Sequence, residues 1–87
     1  MSNEAVQINV ERIHKLNGEG LLKGFADISV AGTFLIKGLR IVSGKEGLFI
    51  GMPSAQGKDG RWYNTVHLLN KTLKEKLADI VLSAYEK

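Results

Sequence analysis

Two histidines, His14 and His67, are the residues best suited to proton transfer near neutral pH. They stand far apart in sequence, without the i, i+4 spacing that would set two imidazoles on one helix face for a metal ion. Each therefore reads as a surface or hydrogen-bonding residue. Cysteine is absent, which removes disulfides and thiolate metal ligands. Ser43 and Ser54 lie outside any G-x-S-x-G or other activated-nucleophile pattern. Glu11, Glu19, Asp27, Glu46 and Asp59 fall in turns or on the solvent side of strands, where carboxylates solubilise a surface. Gly44-Lys45-Glu46-Gly47 and Gly57-Lys58-Asp59-Gly60 have the glycines of a phosphate loop. They lack both G-x-x-x-x-G-K-[ST] and the strand, loop and helix context, so they read as hairpin turns. The expectation is no catalysis, no cofactor, no metal and no small-molecule substrate.

The basic residues are placed less blandly. Lys71 and Lys74 fall in or beside the first turn of the C-terminal helix, where the macrodipole is positive and cations are disfavoured. A helix N-terminus with nearby lysines suits a phosphate, although lysines that simply extend into water cost little. Lys58 and Arg61 precede Trp62 and Tyr63, and basic residues interleaved with aromatics on an extended segment can grip a phosphate and stack a base. Such aromatics also serve core or dimer packing. A net charge of +3 and a pI near 9.3 permit nucleic acid as a partner without requiring it.

The elements that must position these residues follow from periodicity. Val6, Ile8 and Val10 alternate with polar residues as a first strand. The Asn17–Gly20 turn leads to a second strand, with Leu22, Gly24, Ala26, Ile28 and Val30 on one face and Phe25 on the other. Ala31-Gly32 makes a tight connection to a third strand over 33–42, with a bulge at Gly38. Leu48–Met52 is a fourth strand, stopped by Pro53. Residues 54–60 read as a polar, glycine-rich loop, and 61–68 as a fifth strand or extended arm. Beyond Asn70, Leu73, Leu77, Ile80, Val81 and Ala84 fall at helical spacing. Asn70 and the Thr72-x-x-Glu75 capping box compete for the helix start.

The pattern predicts one α+β domain over residues 1–87, an antiparallel sheet of about five short strands with one C-terminal amphipathic helix. A domain of this size is marginal alone, and pairing of edges or exposed faces between protomers is the available remedy, so a homodimer is expected. Met1–Ala5 lack the basic start and apolar run of an export signal, and no stretch reaches the ~20 apolar residues of a membrane span. A cytoplasmic protein with no membrane partner is expected.

The run Gly38–Met52 followed by Pro53-Ser54, then Asp59-Gly60, His67, Asn70, Lys74-Glu75-Lys76 and Val81-Leu82-Ser83-Ala84-Tyr85-Glu86, resembles the stage V sporulation protein G (SpoVG) family from about Val6 to Lys87. The resemblance implies a non-enzymatic bacterial regulator that forms homodimers, binds DNA and also RNA, and influences septation and sporulation-stage gene expression. It further implies nucleic-acid contacts at Lys71, Lys74 and Lys76. The chain departs from the family in having Ala55-Gln56 after Met-Pro-Ser, Arg61-Trp62-Tyr63-Asn64 after Asp-Gly, and His67-Leu68 in place of His-Pro. Lys58 and Arg61 partly substitute for the missing basic loop residues.

The expected function is thus a dimeric nucleic-acid-binding regulator using Lys71, Lys74, Lys76, Lys58 and Arg61. Arg40 is a weaker candidate that could equally brace a dimer. The alternative is a protein-interaction module in cell division, with Phe25 on an exposed strand face as its support.

Overall fold

Alternating apolar and polar residues build four strands, β1 (Ile8–Lys15), β2 (Leu22–Val30), β3 (Phe34–Gly44) and β4 (Gly47–Gly51), joined in sequence order as an antiparallel meander. The computed structural model describes residues 6–87; Met1–Ala5, on which the reading of the N-terminus rests, lie outside the described residues. The first strand begins two residues later than the alternation from Val6 suggests and runs on to Lys15.

Turn chemistry sets the hairpin between β2 and β3. Ala31 (φ 55°) and Gly32 (φ 61°) are both left-handed, and the Thr33 N–H donates to the Val30 carbonyl at 3.0 Å. Two positive φ values give the primed turn that matches the right-handed twist of the flanking strands. At the expected bulge, Gly38 has φ 84°, and Lys37 and Gly38 together oppose Asp27. The extra residue changes the parity of β3. Ile36 packs on the core before the bulge and Leu39 and Ile41 after it, leaving Arg40 on the opposite face.

Two further irregularities act the same way. Glu11 interrupts β1, so Val10 and Ile13 both reach the core. Lys23 interrupts β2, so Leu22 pairs with Val42 while Gly24 pairs with Ile41. This corrects the expectation that Leu22 shares a face with Gly24, Ala26 and Ile28: the bulge turns Leu22 outward.

The core comprises Ile8, Ala26, Ile28, Leu39 and Ile41 from one sheet face and Leu77 and Val81 from the helix α1 (Lys71–Tyr85). Burying a side chain of this size contributes about 1.5–3 kcal/mol, which holds the helix to the sheet. Asn70 wins the competition for the helix start: its side chain accepts the Leu73 N–H at 3.1 Å. Thr72 and Glu75 then lie inside the helix, so the capping-box alternative is overturned. At the other end, Lys15 Nζ donates to the Lys87 carbonyl at 3.1 Å and lies 5.2 Å from the Tyr85 ring centroid, tying the helix terminus to β1.

The segment after Pro53 also differs from expectation. Residues 54–60 contain a strand, β5 (Ser54–Gln56), and only Trp62–Asn64 of 61–68 is extended in a ladder, as β6. These two pair with each other, apart from the four-stranded sheet, in the register Ser54↔Asn64, Ala55↔Tyr63 and Gln56↔Trp62. Pro53 interrupts the run of N–H donors at the end of β4, while its carbonyl accepts the Thr65 N–H at 2.8 Å and so closes the base of this ribbon. The architecture is a four-stranded sheet, a two-stranded ribbon and one helix.

Candidate nucleic-acid interface

Lys71 and Lys74 are brought together. Lys71 is the first helical residue, Lys74 lies one turn on, and the first turn of α1 carries no acidic side chain to offset the positive end of the helix. Both are exposed and both line a groove of about 630 Å³ between α1 and β4, whose walls include Leu48, Ile50, Met52 and Leu68. Lys74 also borders a small recess with His67, whose Nε2 lies 3.1 Å from the Asn64 carbonyl. The sheet edge, the 64–70 segment and the helix cap thus converge on one rim, where Lys71 and Lys74 outnumber the single carboxylate of Glu75.

The other three candidates sit elsewhere. Lys76 is about 200° around the helix from Lys74, and its Nζ donates to the Val6 carbonyl at 3.4 Å on the β1 side. Lys58 and Arg61 occupy the tip of the ribbon, where the Gly57 N–H donates to the Arg61 carbonyl at 2.8 Å. The tip is not purely cationic. Asp59 accepts the Tyr63 hydroxyl at 2.5 Å and the Arg61 N–H at 3.0 Å. The Tyr63 hydrogen bond first, and then the Arg61 N–H, hold the Asp59 carboxyl below its usual range; the same bond pushes the Tyr63 hydroxyl up. Sequence order suggests two basic groups, the helix lysines and the pair Lys58 and Arg61, and helix rotation separates Lys76 from the first of them.

The sheet face away from the helix carries Phe25 and Arg40, which the sequence singles out separately and the strand pairing brings together. Register places His14, Phe25, Arg40 and Gly51 in one row across all four strands. Arg40 lies against Gly51, where an added Cβ would meet its Nη2 at 3.1 Å, and Nη2 donates to the Met52 carbonyl at 3.4 Å. Its Nε is buried without a partner. Trp62 from the ribbon joins Phe25, Leu22 and Arg40 around a cleft of about 450 Å³. Gly38 signals the bulge that turns Arg40 to this face, whereas the register between strands, and with it the row, is set only by their pairing.

Among the described residues, no three His, Asp or Glu side chains converge as a metal site, and no helix is long and apolar enough to cross a membrane.

The SpoVG family model matches residues 6–87. The chain is similar to proteins carrying the name septation protein SpoVG. The relative from Archaeoglobus fulgidus is 38% identical over 80 residues, covering 92% of this chain and 94% of its own length. That from Clostridium beijerinckii is 35% identical over 82 residues, covering 94% and 90%. A third, SpoVG 1 of Listeria monocytogenes, is 33% identical over 81 residues, covering 93% and 79%.

Proposed function

This chain belongs to the SpoVG family, which its name links to septation and sporulation, and from that premise we propose that it is a non-enzymatic, cytoplasmic nucleic-acid-binding regulator acting in those processes. The observation that carries the reading is the pairing of Lys71 with Lys74 at a helix N-terminus lacking any acidic first-turn residue, with His67 alongside. Backbone N–H groups, the helix dipole and two exposed ammonium groups all favour a phosphate there. Lys58 and Arg61 at the ribbon tip and Lys76 on the far side of the helix supply outer contacts. DNA is the first partner and RNA a second, bound by a homodimer.

The apolar walls of the groove beside Lys71 favour a second reading, a protein-interaction module in cell division. Phe49 (51% exposed) and Leu69 (fully exposed) leave apolar surface at that edge for a protein partner.

Titration of labelled DNA and RNA fragments at two salt concentrations separates the readings. The parent should bind with a marked salt dependence, and a folded Lys71→Ala/Lys74→Ala variant should bind more weakly with a salt slope smaller by about two units. Salt-independent binding, or equal binding by the variant, removes the phosphate site; light scattering that returns a monomer at micromolar concentration removes the dimer.

A further inference from the structure

The cleft between the ribbon and the helix-free sheet face has an unusual lining for a protein surface. Phe25 and Trp62 offer aromatic rings, Arg40 offers a planar guanidinium, Leu22 extends the apolar wall, and Ser54 and Asn64 add a hydroxyl and an amide. Trp62 is 67% exposed although it is the largest side chain in the protein, and Phe25 is only partly buried. Arg40 has several donors, one long hydrogen bond to Met52 and a buried Nε with no partner. Arg12 and His14 border Phe25 on one side, and Arg61 precedes Trp62 on the other; Asp27 beside Phe25, and Glu11 bonded to Ser29 further along, are carboxylates on that face.

We propose that this cleft binds an unpaired base of a single-stranded nucleic acid, stacked between Trp62 and Phe25 and held at its edge by Arg40. The inference rests on the nucleic-acid reading above but uses a different surface. The Trp62 and Phe25 rings accept any base face, the Arg40 guanidinium with Ser54 and Asn64 meets its edge, and the surrounding cations meet the phosphates that flank it. A base inside a duplex has both faces covered by its neighbours, so the cleft selects single strands. The bulges at Lys23 and Gly38 turn Leu22 and Arg40 onto this face, and the ribbon delivers Trp62 to it.

Trp62 is the sole tryptophan, so its emission reports the cleft directly in the intact chain. The experiment titrates the protein with a fluorescein-labelled single-stranded oligonucleotide, as DNA and as RNA, and with the matching duplex, following anisotropy and Trp62 emission together. Single strands should quench Trp62 and the duplex should not. Trp62→Leu, Phe25→Leu and Arg40→Gln, each checked for folding by circular dichroism, should each bind single strands roughly tenfold more weakly. If anisotropy shows binding while Trp62 emission stays unchanged and Trp62→Leu binds like the parent, the cleft is overturned and the Lys71–Lys74 site stands. Failure of every nucleic acid to bind overturns both. Loss of binding in Trp62→Leu but not in Lys71→Ala/Lys74→Ala upholds the cleft and removes the helix site. Emission that shifts with protein concentration and ignores oligonucleotide means a second copy covers this face, which also overturns the proposal.

Discussion

The Asp27 carboxylate accepts the Gly38 N–H at 3.1 Å, across the point where β2 spends one residue and β3 spends two. This contact anchors the bulge that turns Leu39 and Ile41 inward and Arg40 outward. Gly38→Ala places a Cβ at φ 84° and should lower stability by about 1–2 kcal/mol. Asp27→Ala should lower it by about 1 kcal/mol through the lost hydrogen bond. Urea denaturation followed by circular dichroism measures both, and the double variant should show less than the sum because the two changes undo one feature.

Ala31 is the single non-glycine residue with a positive φ among the described residues. Asparagine tolerates this conformation better than alanine does, and Asn-Gly is a favoured pair for a primed turn. Ala31→Asn should therefore stabilise the protein by about 0.5–1 kcal/mol, visible as a higher urea midpoint at unchanged slope. A lower midpoint would contradict the turn geometry described.

Asn70 supplies the only side-chain cap described at the start of α1. Asn70→Ala should cost about 1 kcal/mol, whereas Thr72→Ala, which removes no cap, should cost much less. Comparing the two thermal midpoints tests which of the competing start signals holds the helix.

The ribbon tip should respond to pH at both extremes. Asp59 has a lowered folded-state pKa, so its contribution is present above the usual carboxylate range and is lost as pH falls through the lowered value. Tyr63 has a raised one, so its contribution is present below the usual tyrosine value and is lost as pH rises through the raised value. In a Tyr85→Phe background the phenolate absorbance belongs to Tyr63 alone, and Asp59→Asn should move its titration back toward the ordinary range. An unchanged titration would show that the carboxylate does not hold the hydroxyl.

The division of the basic residues predicts unequal effects on binding. Lys71→Ala and Lys74→Ala should each reduce the salt slope by about one unit, while Lys76→Ala should leave a smaller change because its ammonium turns toward Val6. Equal slopes for all three would argue that a bound strand wraps the helix on both sides.

Much of this was set by local chemistry that the sequence carries openly. The alternation through β2, the positive φ demanded around Gly32 and Gly38, the helical spacing of Leu77 and Val81 and the stop at Pro53 depend on neighbours within a few residues. The same holds for the run of motifs that marks the family. Partner choice and parity do not depend on neighbours alone. Ser54–Gln56 is too short and polar to signal a strand until Trp62–Asn64 lies beside it, and the irregularities at Glu11 and Lys23 are invisible without the opposing strand. A one-residue bulge exchanges the two faces of everything beyond it, because side chains alternate with a period of two. Tertiary structure therefore decided that Arg40, Phe25 and Trp62 share one cleft and that Lys76 parts from Lys71 and Lys74.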